Sequence, residues 1–126
     1  MTQFNALVPL GRLSVTVAGT TIPLSTNCGP YGGQQGTDWK NIPVPGNAWR
    51  GFMLQAAPGN SGNIYLLPRG KTASANPESI FGVIGPGGSL QFPQSNMTGV
   101  GVLPENFVLD MDGSGTQICY GYGTLG

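Results

Sequence analysis

The sequence contains no histidine. That removes the usual general base, the Ser-His-Asp and Cys-His arrangements, and the commonest metal ligand. Two cysteines without histidine do not make a zinc site. Charge is also scarce. Charged residues make up 8% of the chain, against roughly 25% in ordinary soluble domains. Five basic and five acidic residues cancel to a net charge of zero. Arg12, Lys40, Arg50, Arg69 and Lys71 are scattered, too thinly for a stripe that tracks phosphates, so nucleic acid is not an expected partner. No apolar run approaches the ~18 residues of a membrane span, and no membrane partner is expected. A free monomer ordinarily keeps apart from its neighbours through surface charge. A chain with so little is expected to work with much of its surface covered, by copies of itself or by a larger assembly.

Cysteine is limited to Cys28 and Cys119. Spacing alone does not decide whether they pair. Met1-Thr2-Gln3-Phe4 lacks a basic n-region and no long apolar stretch follows it, so no signal peptide is expected. Free thiols in an intracellular product follow, each buried as a small hydrophobe.

What is abundant is turn chemistry. Glycine and proline number 22 and 11 among 126 residues. Apolar residues alternate in short blocks, and the glycines fall between the blocks. This pattern predicts an all-β fold: one antiparallel β-sandwich or jelly-roll-like barrel of about eight short strands. A single domain spans residues 1–126. Residues 1–10 read as an N-terminal arm and residues 26–48 as a long loop. Leu13, Val15 and Val17 alternate with Ser14 and Thr16 in a first strand. Thr21–Ser25 is a short edge strand, because Pro23 cannot donate to a ladder. Phe52–Ala57 and Ile64–Leu67 flank the turn Pro58-Gly59-Asn60-Ser61-Gly62-Asn63 and are expected to form a central hairpin, with Phe52, Leu54, Ala56, Ile64 and Leu66 on one face. Strands are also expected at 80–84, 90–92 and 100–103. Residues 107–111 and 116–122 read as a closing hairpin around Asp112-Gly113-Ser114-Gly115. No window carries helical apolar spacing free of glycine or proline.

Few residues invite a catalytic reading. Asp110 and Asp112 are two apart on a strand and share a face, as a small carboxylate hydrolase would need. The alternative is a hairpin whose exposed positions near the turn happen to be acidic. The run from Asp110 to Gly115 has the alternate aspartates of a calcium loop but no bidentate glutamate after it. Gly85-Pro86-Gly87-Gly88-Ser89 has no Lys-Ser/Thr and is no phosphate loop. No enzyme activity and no cofactor are expected. Surface recognition remains: Tyr31, Trp39, Trp49, Tyr65, Tyr120 and Tyr122 suit stacking on sugars or anchoring a protein interface, with core packing as the alternative for each. Phe4, Leu7, Tyr31, Trp39 and Trp49 are the candidate interface residues.

Three blocks carry a resemblance. They are Met53–Leu66 with its Pro-Gly-Asn-Ser-Gly-Asn-Ile-Tyr core, Val83–Pro93 with Gly-Pro-Gly-Gly-Ser-Leu-Gln-Phe-Pro, and Phe107–Tyr122 with its Asp-Gly-Ser-Gly turn. Together they resemble small structural proteins of tailed bacteriophages that decorate or cement a capsid or sit near the head–tail region. The resemblance covers about the last 75 residues of the 126. It implies a non-enzymatic virion protein, made in the host cytoplasm, that binds the major capsid protein of the same virion as a homo-oligomer, a trimer or dimer. The rival expectations are a tail, neck or baseplate component, a carbohydrate-binding β-sandwich module using Trp39 or Trp49, and the small hydrolase.

Overall fold

The computed structural model describes residues 6–26, 51–92 and 106–125. Among the described residues eight strands run in chain order: β1 (Ala6–Val15), β2 (Ile22–Pro23), β3 (Gly51–Ala56), β4 (Ile64–Pro68), β5 (Gly82–Ile84), β6 (Ser89–Phe92), β7 (Phe107–Met111) and β8 (Gln117–Leu125). One short 3-10 turn, Pro77–Ser79, precedes β5. The strands form two four-stranded sheets, ordered β1-β8-β3-β6 (sheet A) and β2-β7-β4-β5 (sheet B). Every pairing is antiparallel. The expected all-β sandwich is therefore the architecture, and its strand order is that of a jelly roll. The sheets keep their edges, so no barrel closes.

This order corrects both expected hairpins. β3 lies in sheet A and β4 in sheet B; β7 lies in sheet B and β8 in sheet A. The Asn/Gly-rich turns reverse the chain, but they carry it across the core instead of along one sheet. Turn residues supply the positive φ a reversal needs, as at Gly113 (φ 90°) and Gly115 (φ 77°). They do not say which layer receives the next strand. Among the described strands, only β4 and β5 are both consecutive and paired.

The alternation does hold. Phe52, Leu54 and Ala56 of β3 and Ile64 and Leu66 of β4 are buried and face one another across the core. Leu10, Leu13, Val15 and Cys119 join them from sheet A, and Ile84, Leu109 and Met111 from sheet B. Each such aliphatic side chain contributes about 1.5–3 kcal/mol on burial. Leu54→Ala would cost about 2–5 kcal/mol through lost contacts and a cavity.

β1 starts earlier than expected. Ala6–Leu10, read as belonging to an arm, lie in this strand and pair with β8, Ala6 opposite Leu125. A bulge between Pro9 and Gly11 makes this workable. The extra residue, Leu10, resets the parity so that Leu10, Leu13 and Val15 all point inward. Gly11 takes φ 78°, a conformation that costs glycine little. Val17, expected to continue the strand, is instead 56% exposed in the turn after it. β8 answers the bulge with Gly121. A Cβ there would meet a Leu54 methyl at 2.7 Å and a Leu10 methyl at 3.3 Å, so the small residue makes room for two core leucines. β2, with Pro23, lies at the edge of its sheet as expected. The strand expected at 100–103 and the long loop expected at 26–48, apart from Thr26, fall outside the described residues.

At one end of the sandwich, Phe107 at the start of β7 gathers Phe52, Phe81 and Phe92, with ring centroids 5.5, 5.6 and 5.1 Å away. The loops at the other end hold the polar constellation described next.

Candidate functional site

Three turns converge at the end opposite the phenylalanines: Ala57–Asn63, Gly85–Gly88 and Asp112–Thr116. They carry the distinctive turn residues of the three blocks singled out in the sequence. Ala56 N–H donates to Gly88 O at 2.9 Å and Gly87 N–H to Ala57 O at 3.3 Å. This joins the first turn to the second. The bond from Asp112 N–H to Asn63 O, 3.1 Å, joins the first to the third.

Side-chain amides complete the junction. Asn60 binds the β8 backbone through both amide atoms, donating to Ile118 O and accepting from Ile118 N–H, each at 2.9 Å. It thus imitates a neighbouring strand. Gln117, fully buried, accepts from Ser61 N–H at 2.9 Å and Gly62 N–H at 3.1 Å. Its NH2 donates to Ser61 Oγ at 2.8 Å and Ser114 O at 3.2 Å. Ser61 Oγ in turn donates to Ser114 O. A buried polar group without partners is costly. Here each amide satisfies backbone groups that the crossing turns leave outside any ladder.

The two aspartates are absorbed by the same logic. Asp110 is buried in β7, with one carboxylate oxygen accepting from Gly19 N–H and Met111 N–H, both at 2.8 Å. The other accepts from Ala73 N–H at 2.8 Å. One carboxylate thereby holds the β1–β2 turn and the loop after β4 against sheet B. Leu67 and Val108, on neighbouring strands of sheet B, are buried outside the inter-sheet cluster. Asp112 accepts from Asn63 N–H at 2.6 Å and from the Tyr65 hydroxyl. The Tyr65 bond, then the Asn63 N–H, hold the Asp112 carboxyl below the usual aspartate range. The bond to Asp112, then burial, push the Tyr65 hydroxyl above its ordinary value. Asp112 follows β7 and is not on it. The pair expected to share an exposed face is thus split, one carboxylate buried and both occupied as acceptors for neighbouring segments.

Among the described residues no group of three or more His, Cys, Asp or Glu side chains could hold a metal ion. No helix among them is long and apolar enough to cross a membrane. Cys119 is a free thiol, buried in the core, and burial pushes it up to about 12. Of the candidate interface residues, Leu7 lies in β1 opposite Thr124. Phe4, Tyr31, Trp39 and Trp49 fall outside the described residues. Sequence reasoning missed Asn60 and Gln117, because nothing in a single chain marks an amide as buried. It also left Tyr120 and Tyr122 without a definite place. The alternation Tyr-Gly-Tyr-Gly held that signal, since inward glycines leave the tyrosines on the outer face.

No family model, curated protein or solved structure matched the chain.

Proposed function

We propose that this chain is a non-enzymatic structural protein of a bacteriophage virion that binds the outer capsid as a decoration or cement protein and stabilises the shell. The observation that carries the reading is the convergence of the three turns. The blocks that resemble phage structural proteins are separated in sequence, yet their turns meet at one end of the sandwich through Asn60, Gln117 and Asp112. Such a junction makes a rigid body from residues with no evident chemical task. Scarce charge adds support, because a shell component works with much of its surface covered. Jelly rolls serve in viral capsid proteins, but also in lectins and cupins, so the fold supports the proposal only by analogy.

In this reading each copy contacts neighbouring capsid subunits, and many weak repeated contacts sum through avidity. Phe4 and the segment 26–47, with Tyr31 and Trp39, supply the contacts to the major capsid protein, and the chain acts as a trimer or dimer. Electron cryo-microscopy of the source particle tests the proposal. Density for this sandwich repeating over the shell is the expected result. Density confined to the tail, neck or baseplate would replace capsid decoration with the second structural role. Absence from any particle would overturn both.

A further inference from the structure

The outer face of sheet A differs from the turn junction. At the turn junction the side chains of Asn60, Asn63, Gln117, Ser61 and Tyr65 all make hydrogen bonds. On the outer face of sheet A the opposite holds. Register places Tyr120, Gln55 and Ser89 side by side in one row, and Tyr122, Met53 and Gln91 in the next. Five of these six are exposed and Met53 is half-buried. Among the described residues, the side chains of Gln55, Ser89, Gln91, Tyr120 and Tyr122 make no hydrogen bond. Tyr120 is 47% exposed and Tyr122 38% exposed.

We propose that this face binds a neutral oligosaccharide. The tyrosines stand two residues apart on β8, roughly 7 Å, and three strands span about 10 Å across the rows. Those dimensions make a platform wide enough for more than one sugar ring. Aromatic rings offer flat apolar surface to the carbon-bound hydrogens of a sugar ring. Amides and hydroxyls beside them both donate and accept, which suits a ligand dense in hydroxyls. The face carries little charge: among the described residues, the charged side chain in register with it is Arg12, opposite Tyr120. One arginine at its margin disfavours a basic ligand and offers little to a highly charged one. A protein partner fits less well. Covering the platform with apolar side chains would strand the Gln55, Gln91 and tyrosine polar atoms, each at a desolvation cost. A sugar chain laid along β8 satisfies them. This inference does not depend on the virion reading.

The test uses the full chain, isotopically labelled, with amide chemical shifts followed by NMR as cellohexaose, maltohexaose, chitohexaose and mannohexaose are added separately. The expected result is saturable shifts for at least one probe, confined to residues around 53–55, 89–91 and 120–122. Tyr120→Ala and Tyr122→Ala should each weaken that binding about tenfold. Tyr120→Phe should retain most of it, and Val17→Ser, on the exposed turn after β1, should change nothing. Retained shift dispersion in each variant separates lost binding from lost fold. Silence with all four probes would overturn the proposal. So would shifts elsewhere that ignore the tyrosine variants. Concentration-dependent shifts of the same residues without sugar would overturn it too, assigning the face to a second copy of the chain.

Discussion

Gly62 lies so close to Asp112 that a Cβ on it would sit 2.4 Å from the Asp112 carbonyl oxygen and 2.6 Å from its carboxylate. The obstacle is largely backbone, and the same segment is fixed by the Asn63 bonds. Gly62→Ala must therefore push the first and third turns away from each other. The expected cost is about 2–3 kcal/mol, in the upper range for overpacking. Gly59 is the internal comparison, because a Cβ there meets nothing within 4 Å. Gly59→Ala should stay within about 0.5 kcal/mol of the parent. Urea denaturation of both variants measures the difference. Equal midpoints would mean the turns are not joined as described.

Gln117 offers a second test of the same junction. Gln117→Leu keeps the volume but leaves the Ser61 and Gly62 N–H groups without their acceptor. A destabilisation of about 2 kcal/mol is expected, from stranded donors. Amide hydrogen exchange at Ser61 and Gly62 should accelerate in this variant more than exchange in β4.

Asp110→Asn replaces one of two accepting oxygens with a donor. That donor must face the Ala73 N–H or the shared Gly19 and Met111 N–H groups. About 2–3 kcal/mol should be lost. Limited proteolysis is a sharper readout, since the loop after β4 should become the first site cut. Unchanged cleavage there would show that the carboxylate does not hold the loop.

The Tyr65–Asp112 pair sets pH dependence. Asp112 titrates below its unfolded value, so its contribution is complete above about pH 4 and is lost as pH falls through the lower folded value. Tyr65 titrates above its unfolded value, so its contribution is complete below about pH 10 and is lost as pH rises further. Thermal midpoints should form a plateau between these limits. Tyr65→Phe should remove the pair's share of the alkaline decline and reduce the acid decline; an unaltered profile would contradict the pairing.

Burial raises the Cys119 thiol to about 12. The reactive thiolate is then nearly absent at about pH 8. In a Cys28→Ser background, iodoacetamide should leave the native protein unmodified over hours and label it promptly in denaturant. Prompt native labelling would mean that the core opens readily around β8.

Period and punctuation made the sandwich legible. Phe52, Leu54, Ala56, Ile64 and Leu66 alternate, and they are the residues that meet in the core. Pro23 marks an edge strand because it lacks a donor, and β2 is an edge. Connectivity was not legible. Asp112-Gly113 bends a chain equally well within a sheet or between sheets, and the choice rests on distant partners such as Gln117 and Ser61. The carboxylates misled for the same reason. Two residues apart suggests a shared face only while the strand continues, and it ends at Met111. The start of β1 was hidden because residues 1–10 show no clear period, and the bulge at Leu10 shifts the alternation by one residue.

The position of β8 between β1 and β3 has a consequence for synthesis. These neighbours leave the ribosome well before their shared partner does. Likewise β2 and β4 await β7. The nascent chain must hold the apolar faces of both sheets open until their central strands arrive, so the segments made before β7 have no closed core of their own. Folding of this region is thus completed after these late strands emerge, by a search among contacts distant in sequence, and should be slow for the size of the domain. A nascent or truncated chain ending before β7 would be a substrate for chaperones more than a folding intermediate with structure of its own.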